Sequence, residues 1–130
     1  MRKHIVIIEQ DKDILEAMRY HLEKSEYVVS GFTMFHSMAE LVFMHADCFI
    51  IDEWLPRVSG HAICLLLKAK VQTSLIPVVL IAPANLIERT ANLCEADAII
   101  RKSCYGDDLV RVISLVLSKE RTFPSGYGQL

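Results

Sequence analysis

The sequence predicts an α/β fold, a five-stranded parallel sheet with helices on both faces. Three observations predict it. Apolar runs of strand length alternate with segments whose apolar residues recur at helical spacing. Alternating strands and helices imply parallel strands joined by right-handed crossovers. Mean hydropathy is +0.31, although 23% of the residues are charged. Strands covered on both faces explain that value, because they are apolar throughout rather than alternating. The 130 residues, 52% of them hydrophobic, suit one domain whose core needs neither disulfides nor a structural metal.

His4–Ile8 reads as the first strand, ending at Glu9. Asp11 is a helix N-cap, and Ile14, Leu15, Met18 and Leu22 follow at helical spacing. Residues 27–33 read as the second strand. Ser37 with Glu40 makes a capping box that opens a short helix through Leu41 and Val42. Residues 48–51 form a fully apolar third strand that ends at Asp52. Residues 53–59 are a loop containing Pro56, and Gly60 opens an apolar helix to about Lys70. Residues 76–82 are the fourth strand, stopped by Pro83, and 85–94 a weakly amphipathic helix. Residues 98–100 are a short fifth strand followed by Arg101 and Lys102. The last helix carries the stripe Leu109, Val112, Ile113, Val116 and Leu117. Asp107 and Asp108 lie in its first turn, where the helix dipole favours anions. Val110 and Leu115 fall off the stripe and are expected to be exposed. Residues 1–119 form the domain, and 120–130, with Pro124, Gly126 and Gly128, are a flexible tail or linker stub. Five βα units suggest the flavodoxin-like strand order 2-1-3-4-5.

Several function classes are disfavoured. A net charge of −2 and a pI near 6.2 give no basic surface for nucleic acid. Cys48, Cys64, Cys94 and Cys104 are widely spaced without a C-x-x-C pair, so zinc and dithiol redox readings fail. Cys48 and Cys64 lie in apolar runs and read as small core residues. The five histidines have no metal-ligand spacing. No apolar run approaches the length of a membrane span, and the start is too short for a secretory signal. A reducing cytoplasm is the expected compartment.

Ligands of open parallel sheets bind at the carboxyl ends of the strands. Glu9-Gln10-Asp11, Asp52, Ala82-Pro83 and Lys102 fall there. Two carboxylates and an ammonium on one rim can hold a hard divalent cation and a phosphoryl group. The segments IVIIEQD, FIIDEWLPRVSG, IPVVLIAPA and EADAIIRKS stand in the order and spacing of a known family. Across residues 3–119 the chain resembles the receiver (CheY-like) domains of bacterial two-component signalling. The resemblance implies that Asp52 takes a phosphoryl group from a histidine kinase or phosphotransfer protein. It implies Mg²⁺ held by Asp52, Glu9 and the backbone carbonyl of Trp54, with Lys102 paired to a phosphoryl oxygen. Carboxylates are poor nucleophiles toward anions, so positive charge must neutralise the transferring group. The resemblance also implies an output partner, and a homodimer through the fourth helix, fifth strand and fifth helix.

The chain departs from that family at several positions. Gln10 stands where a second acidic metal ligand is usual, so the metal site is weakened. Asp11 could compensate, but its role as a cap is favoured. Ala82 stands where the family has the Thr or Ser that binds the phosphoryl oxygen. Pro83 follows, with no N–H to offer the same group. Ile99 replaces the aromatic switch residue. Ser103 replaces the usual cis proline after the lysine, so a trans bond, a changed loop and a displaced Lys102 are expected. Trp54 either shields the site or lies on the surface near the rim.

Two readings remain open: a phosphorylatable receiver with impaired switching, or a pseudo-receiver that binds proteins independently of phosphorylation. An enzyme is not expected. A nucleotide binder needs a Gly- or Ser-rich loop after the first strand, where Glu9, Asp11 and Asp13 would repel phosphate. A haloacid dehalogenase-type phosphatase needs an Asp where Trp54 stands.

Overall fold

The computed structural model describes residues 1–119; the tail expected at 120–130 lies outside the described residues. The chain alternates β1 (His4–Ile8), α1 (Lys12–Lys24), β2 (Val28–Phe32), α2 (Met38–Phe43), β3 (Cys48–Asp52), α3 (Gly60–Ala69) and β4 (Val78–Ala82). A 3-10 turn (Ala84–Leu86), α4 (Ile87–Ala91), β5 (Ala98–Arg101) and α5 (Asp107–Ser118) complete it. The strands are parallel throughout, in the order β2-β1-β3-β4-β5, as the sequence predicts.

Successive strand side chains point to opposite faces, so each apolar run feeds two cores. Ile5, Ile7, Cys48, Ile50, Val79 and Ile81 meet Leu15, Met18 and Leu22 of α1 and Leu109, Ile113 and Val116 of α5. Val6, Ile8, Phe49, Ile51, Val78 and Leu80 meet Leu41 of α2 and Ile63, Cys64 and Leu67 of α3. The central strands β1, β3 and β4 are therefore apolar at nearly every position, which accounts for the high hydropathy.

The caps read from the sequence at Asp11 and Ser37 are present, and the structure adds one at Ser59. Asp11 accepts from the N–H groups of Asp13 and Ile14, and Ser37 accepts from Glu40 N–H. Ser59 accepts from Ala62 N–H and starts α3.

Four expectations need correction. The second strand is shorter than 27–33. The fourth begins at Val78, because Pro77 has no N–H for the ladder. The helix expected over 85–94 is a 3-10 turn followed by a five-residue α4, with no side-chain cap at either start. Weak amphipathy and the missing cap leave little to hold a longer helix. Val110, expected to be exposed, is half-buried and packs against the α1/α5 core. Its neighbour off the stripe, Leu115, is 58% exposed.

Candidate functional site

Parallel pairing of β1 with β3 and of β3 with β4 brings strand ends into one row. Asp52 is the last residue of β3, Glu9 follows β1, and Lys102 follows β5. Lys102 Nζ lies 2.7 Å from Asp52 Oδ2 and 3.5 Å from Glu9 Oε2. The Trp54 N–H donates to Asp52 Oδ1 at 3.0 Å. Asp52 thus has a donor on each oxygen and no exposed surface. Both carboxylates are buried outright, whereas the Lys102 side chain remains 25% exposed.

Glu9 is the electrostatically unusual member. Its Oε2 accepts the Asp11 N–H at 2.9 Å, while Oε1 is buried and has no hydrogen-bond partner. Burial raises its pKa to about 7; the hydrogen bond and negative charge of Asp52 add to the rise. The Asp11 N–H and the Lys102 ammonium pull the other way.

Lys102 is not displaced, contrary to expectation. Its N–H donates to the Ala82 carbonyl at 3.1 Å, and a turn closes behind it from Cys104 N–H to the Arg101 carbonyl. These bonds hold the lysine with no proline after it. No cis peptide occurs among the described residues, so Lys102–Ser103 is trans as expected. Ser103 itself is exposed and outside the group.

Of the other predicted positions, Gln10 is exposed and Asp11 serves as a cap. Ala82 is buried at the end of β4, and Pro83 follows as the residue before the 3-10 turn. Neither supplies a donor. Ile99 is half-buried against the α2/α3 core. Trp54 is 55% exposed, at the surface beside the rim.

The oxygen donors fit a magnesium ion modestly. Glu9 and Asp52 provide two carboxylates, and the unpartnered Glu9 Oε1 is an acceptor in need of a cation or donor. Mg²⁺ accepts one or two carboxylates with waters completing its shell. No group of three or more His, Cys, Asp or Glu able to hold a metal occurs among the described residues. Gln10, next to Glu9, brings no charge to the group.

Two features of the site carry no signature in the sequence. A Cβ on Gly60 would lie 2.5 Å from the Asp52 carbonyl oxygen, so the loop after β3 closes only over a glycine. Glu53, next to Asp52, is buried and bonded to His61, and no sequence spacing announces that pair.

A family model described as the response regulator receiver domain matches residues 5–114. Among solved structures, the chain is similar to the signal receiver domain of a signal transduction histidine kinase from Syntrophus aciditrophicus. That match has 22% identity and a TM-score of 0.80, and covers 94% of this chain and 97% of that one. The chemotaxis response regulator CheY4 of Vibrio cholerae has 14% identity and a TM-score of 0.81, over 89% and 99%. A CheY-like receiver domain protein from Methanospirillum hungatei has 23% identity and a TM-score of 0.73, over 90% and 94%. These likenesses speak to the fold. No curated protein matches. With a family match that runs from β1 into α5, the chain belongs to the response regulator receiver domains of two-component signalling.

Proposed function

We propose that Asp52 accepts a phosphoryl group from a histidine kinase or phosphotransfer protein, in a Mg²⁺-dependent reaction that this chain carries out slowly. The observation that supports it is the ammonium of Lys102 at 2.7 Å from the Asp52 carboxylate. An anionic carboxylate attacks an anionic phosphoryl group only where positive charge offsets the repulsion. Lys102 supplies one such charge, and the Trp54 N–H supplies a fixed dipole. Glu9, Asp52 and the Trp54 carbonyl would hold Mg²⁺, which when bound neutralises charge on the transferring group. At Asp52 the chain acts as a signalling component of the cytoplasm and not as an enzyme.

The impairment follows from the end of β4. Ala82 has no hydroxyl and Pro83 no N–H, so two donors to a phosphoryl group are missing together. Each hydrogen bond to a charged group is worth about 1.5–3 kcal/mol, or roughly ten-fold or more in rate. The same absence favours a second reading, a pseudo-receiver that binds its partner without phosphorylation. Ile99 also favours it, because it has neither the ring nor the hydroxyl of the aromatic switch residue that the resemblance implies.

Incubation with acetyl phosphate and Mg²⁺, followed by intact mass, tests the proposal with Asp52→Asn as control. A phosphoryl adduct that disappears in the variant supports the first reading. Folded protein without an adduct removes it in favour of the pseudo-receiver.

A further inference from the structure

Beside the Asp52 rim lies a second polar group that phosphoryl transfer does not use. Glu53 has a carboxylate only 8% exposed. Both its oxygens are bonded to His61: Oε1 accepts the backbone N–H at 2.8 Å, and Oε2 lies 2.6 Å from ring Nδ1. A carboxylate can only accept, so Nδ1 carries the hydrogen; of the two neutral tautomers, only this one leaves Nε2 as an acceptor. That Nε2 is 3.4 Å from Ser59 Oγ. Ser59 caps α3, its Oγ accepting the Ala62 N–H, so its own O–H is free to donate to Nε2. Carboxylate, imidazole and hydroxyl therefore stand in line, at 2.6 Å from Glu53 to His61 and 3.4 Å from His61 to Ser59, the order of an orienting group, a base and a nucleophile. The Gly60 N–H to Glu53 carbonyl bond, at 3.0 Å, ties the loop that carries all three.

This line of groups opens onto a cleft of about 270 Å³ between the β3–α3 loop and α4. Trp54, Leu86 and Leu93 give it apolar walls, and Arg89 brings a charge. Arg89 has no hydrogen bond or ion pair from its side chain among the described residues. The backbone N–H groups of Gly60 and His61 are already committed to Glu53. Arg89 is therefore the group left to meet negative charge developing on a bound carbonyl oxygen.

We propose that Ser59, His61 and Glu53 form an acyl-transfer centre that hydrolyses small carboxylic esters. Ser59 Oγ attacks the carbonyl carbon while its proton passes to His61 Nε2. The bond to the alcohol oxygen breaks, and the alcohol leaves with that proton. Water, giving a proton to the same nitrogen, then cleaves the acyl-serine, and the acid leaves as Ser59 regains its hydrogen. Ester and water go in; acid and alcohol come out. Glu53 is a positioning residue, since it reaches the substrate only through His61.

The test uses the full chain with 4-nitrophenyl acetate, without Mg²⁺ or any phosphodonor, so its failure would leave the Asp52 reading untouched. Nitrophenolate release gives the rate, and peptide mapping locates the acetyl group. Ser59→Asn keeps a capping side chain but removes the nucleophile. It and His61→Gln are each expected to lower the protein-dependent rate at least ten-fold and to abolish the Ser59 adduct. Arg89→Gln, on the surface, is expected to slow acylation with the fold intact. Glu53→Gln should slow acylation and weaken the far-downfield proton resonance of His61 Nδ1–H together. An unchanged rate in Ser59→Asn, or acetyl found only on lysines or on His61, would overturn the proposal.

Discussion

Glu9 shows how one buried side chain ties the site to stability. Beside Asp52 and out of water, its pKa rises from 4.5 to about 7. Between those values the folded protein binds a proton that the unfolded chain has released. Stability from this group is fully present below pH 4.5 and is lost as the pH rises through about 7. Each tenfold change in proton affinity corresponds to about 1.4 kcal/mol, so a rise from 4.5 to about 7 makes the full loss on the order of 3 kcal/mol. Urea unfolding in chelator is expected to give a lower unfolding free energy at pH 8 than at pH 5.5. Glu9→Gln should flatten that difference, and an equally steep difference in the variant would remove Glu9 as its source. Only part of this is legible from the residues. A Glu after an apolar strand reads as a rim carboxylate, but its contact with Asp52 depends on β1 and β3 lying side by side.

At the scale of the element, the end of β4 is the decisive departure. The strand itself is ordinary: Val78–Ala82 are all buried and its ladder to β3 is regular. What changes is the donor set at its carboxyl end, where Ala82 and Pro83 contribute none. Ala82→Ser combined with Pro83→Ala restores a hydroxyl and an N–H. The double variant is expected to form the Asp52 adduct from acetyl phosphate at least ten-fold faster, at about 1.5–3 kcal/mol per restored bond. An unchanged rate would mean that β4 does not limit the chemistry. α4 teaches the opposite lesson. Its residues suggest a ten-residue helix, yet only Ile87–Ala91 are α-helical, since neither a side-chain cap nor a continuous apolar stripe supports the rest.

Across the whole molecule, the two cores leave some apolar residues outside. Leu115 on α5, Leu93 just past α4 and Tyr105 just before α5 are exposed. Val110 does not join them, because it packs on the α1/α5 core. These three lie in or beside α4, β5 and α5, the elements through which the resemblance implies a homodimer, and Leu115 is the most exposed of them. Light scattering is expected to give a mass that rises with concentration, and Leu115→Lys should hold it at the monomer value. A concentration-independent monomer mass for the unaltered protein would count against the dimer. No helix among the described residues is long and apolar enough to cross a membrane.

The residues by themselves determined the strand count, the parallel topology, the two-sided burial and the rim positions of Glu9, Asp52 and Lys102. Those properties follow from local periodicity and from the few ways that alternating strands and helices connect. They also revealed the missing donors, because Ala82 and Pro83 lack them in any conformation. Tertiary structure alone decided the rest. It held Lys102 on Asp52 despite Ser103, through backbone bonds to β4 and the following turn. It left Trp54 at the surface, half-buried Val110 and joined Glu53 to His61 and Ser59. Each of these depends on distances between segments separated in sequence or folded back by a loop, and side-chain periodicity carries no record of such distances.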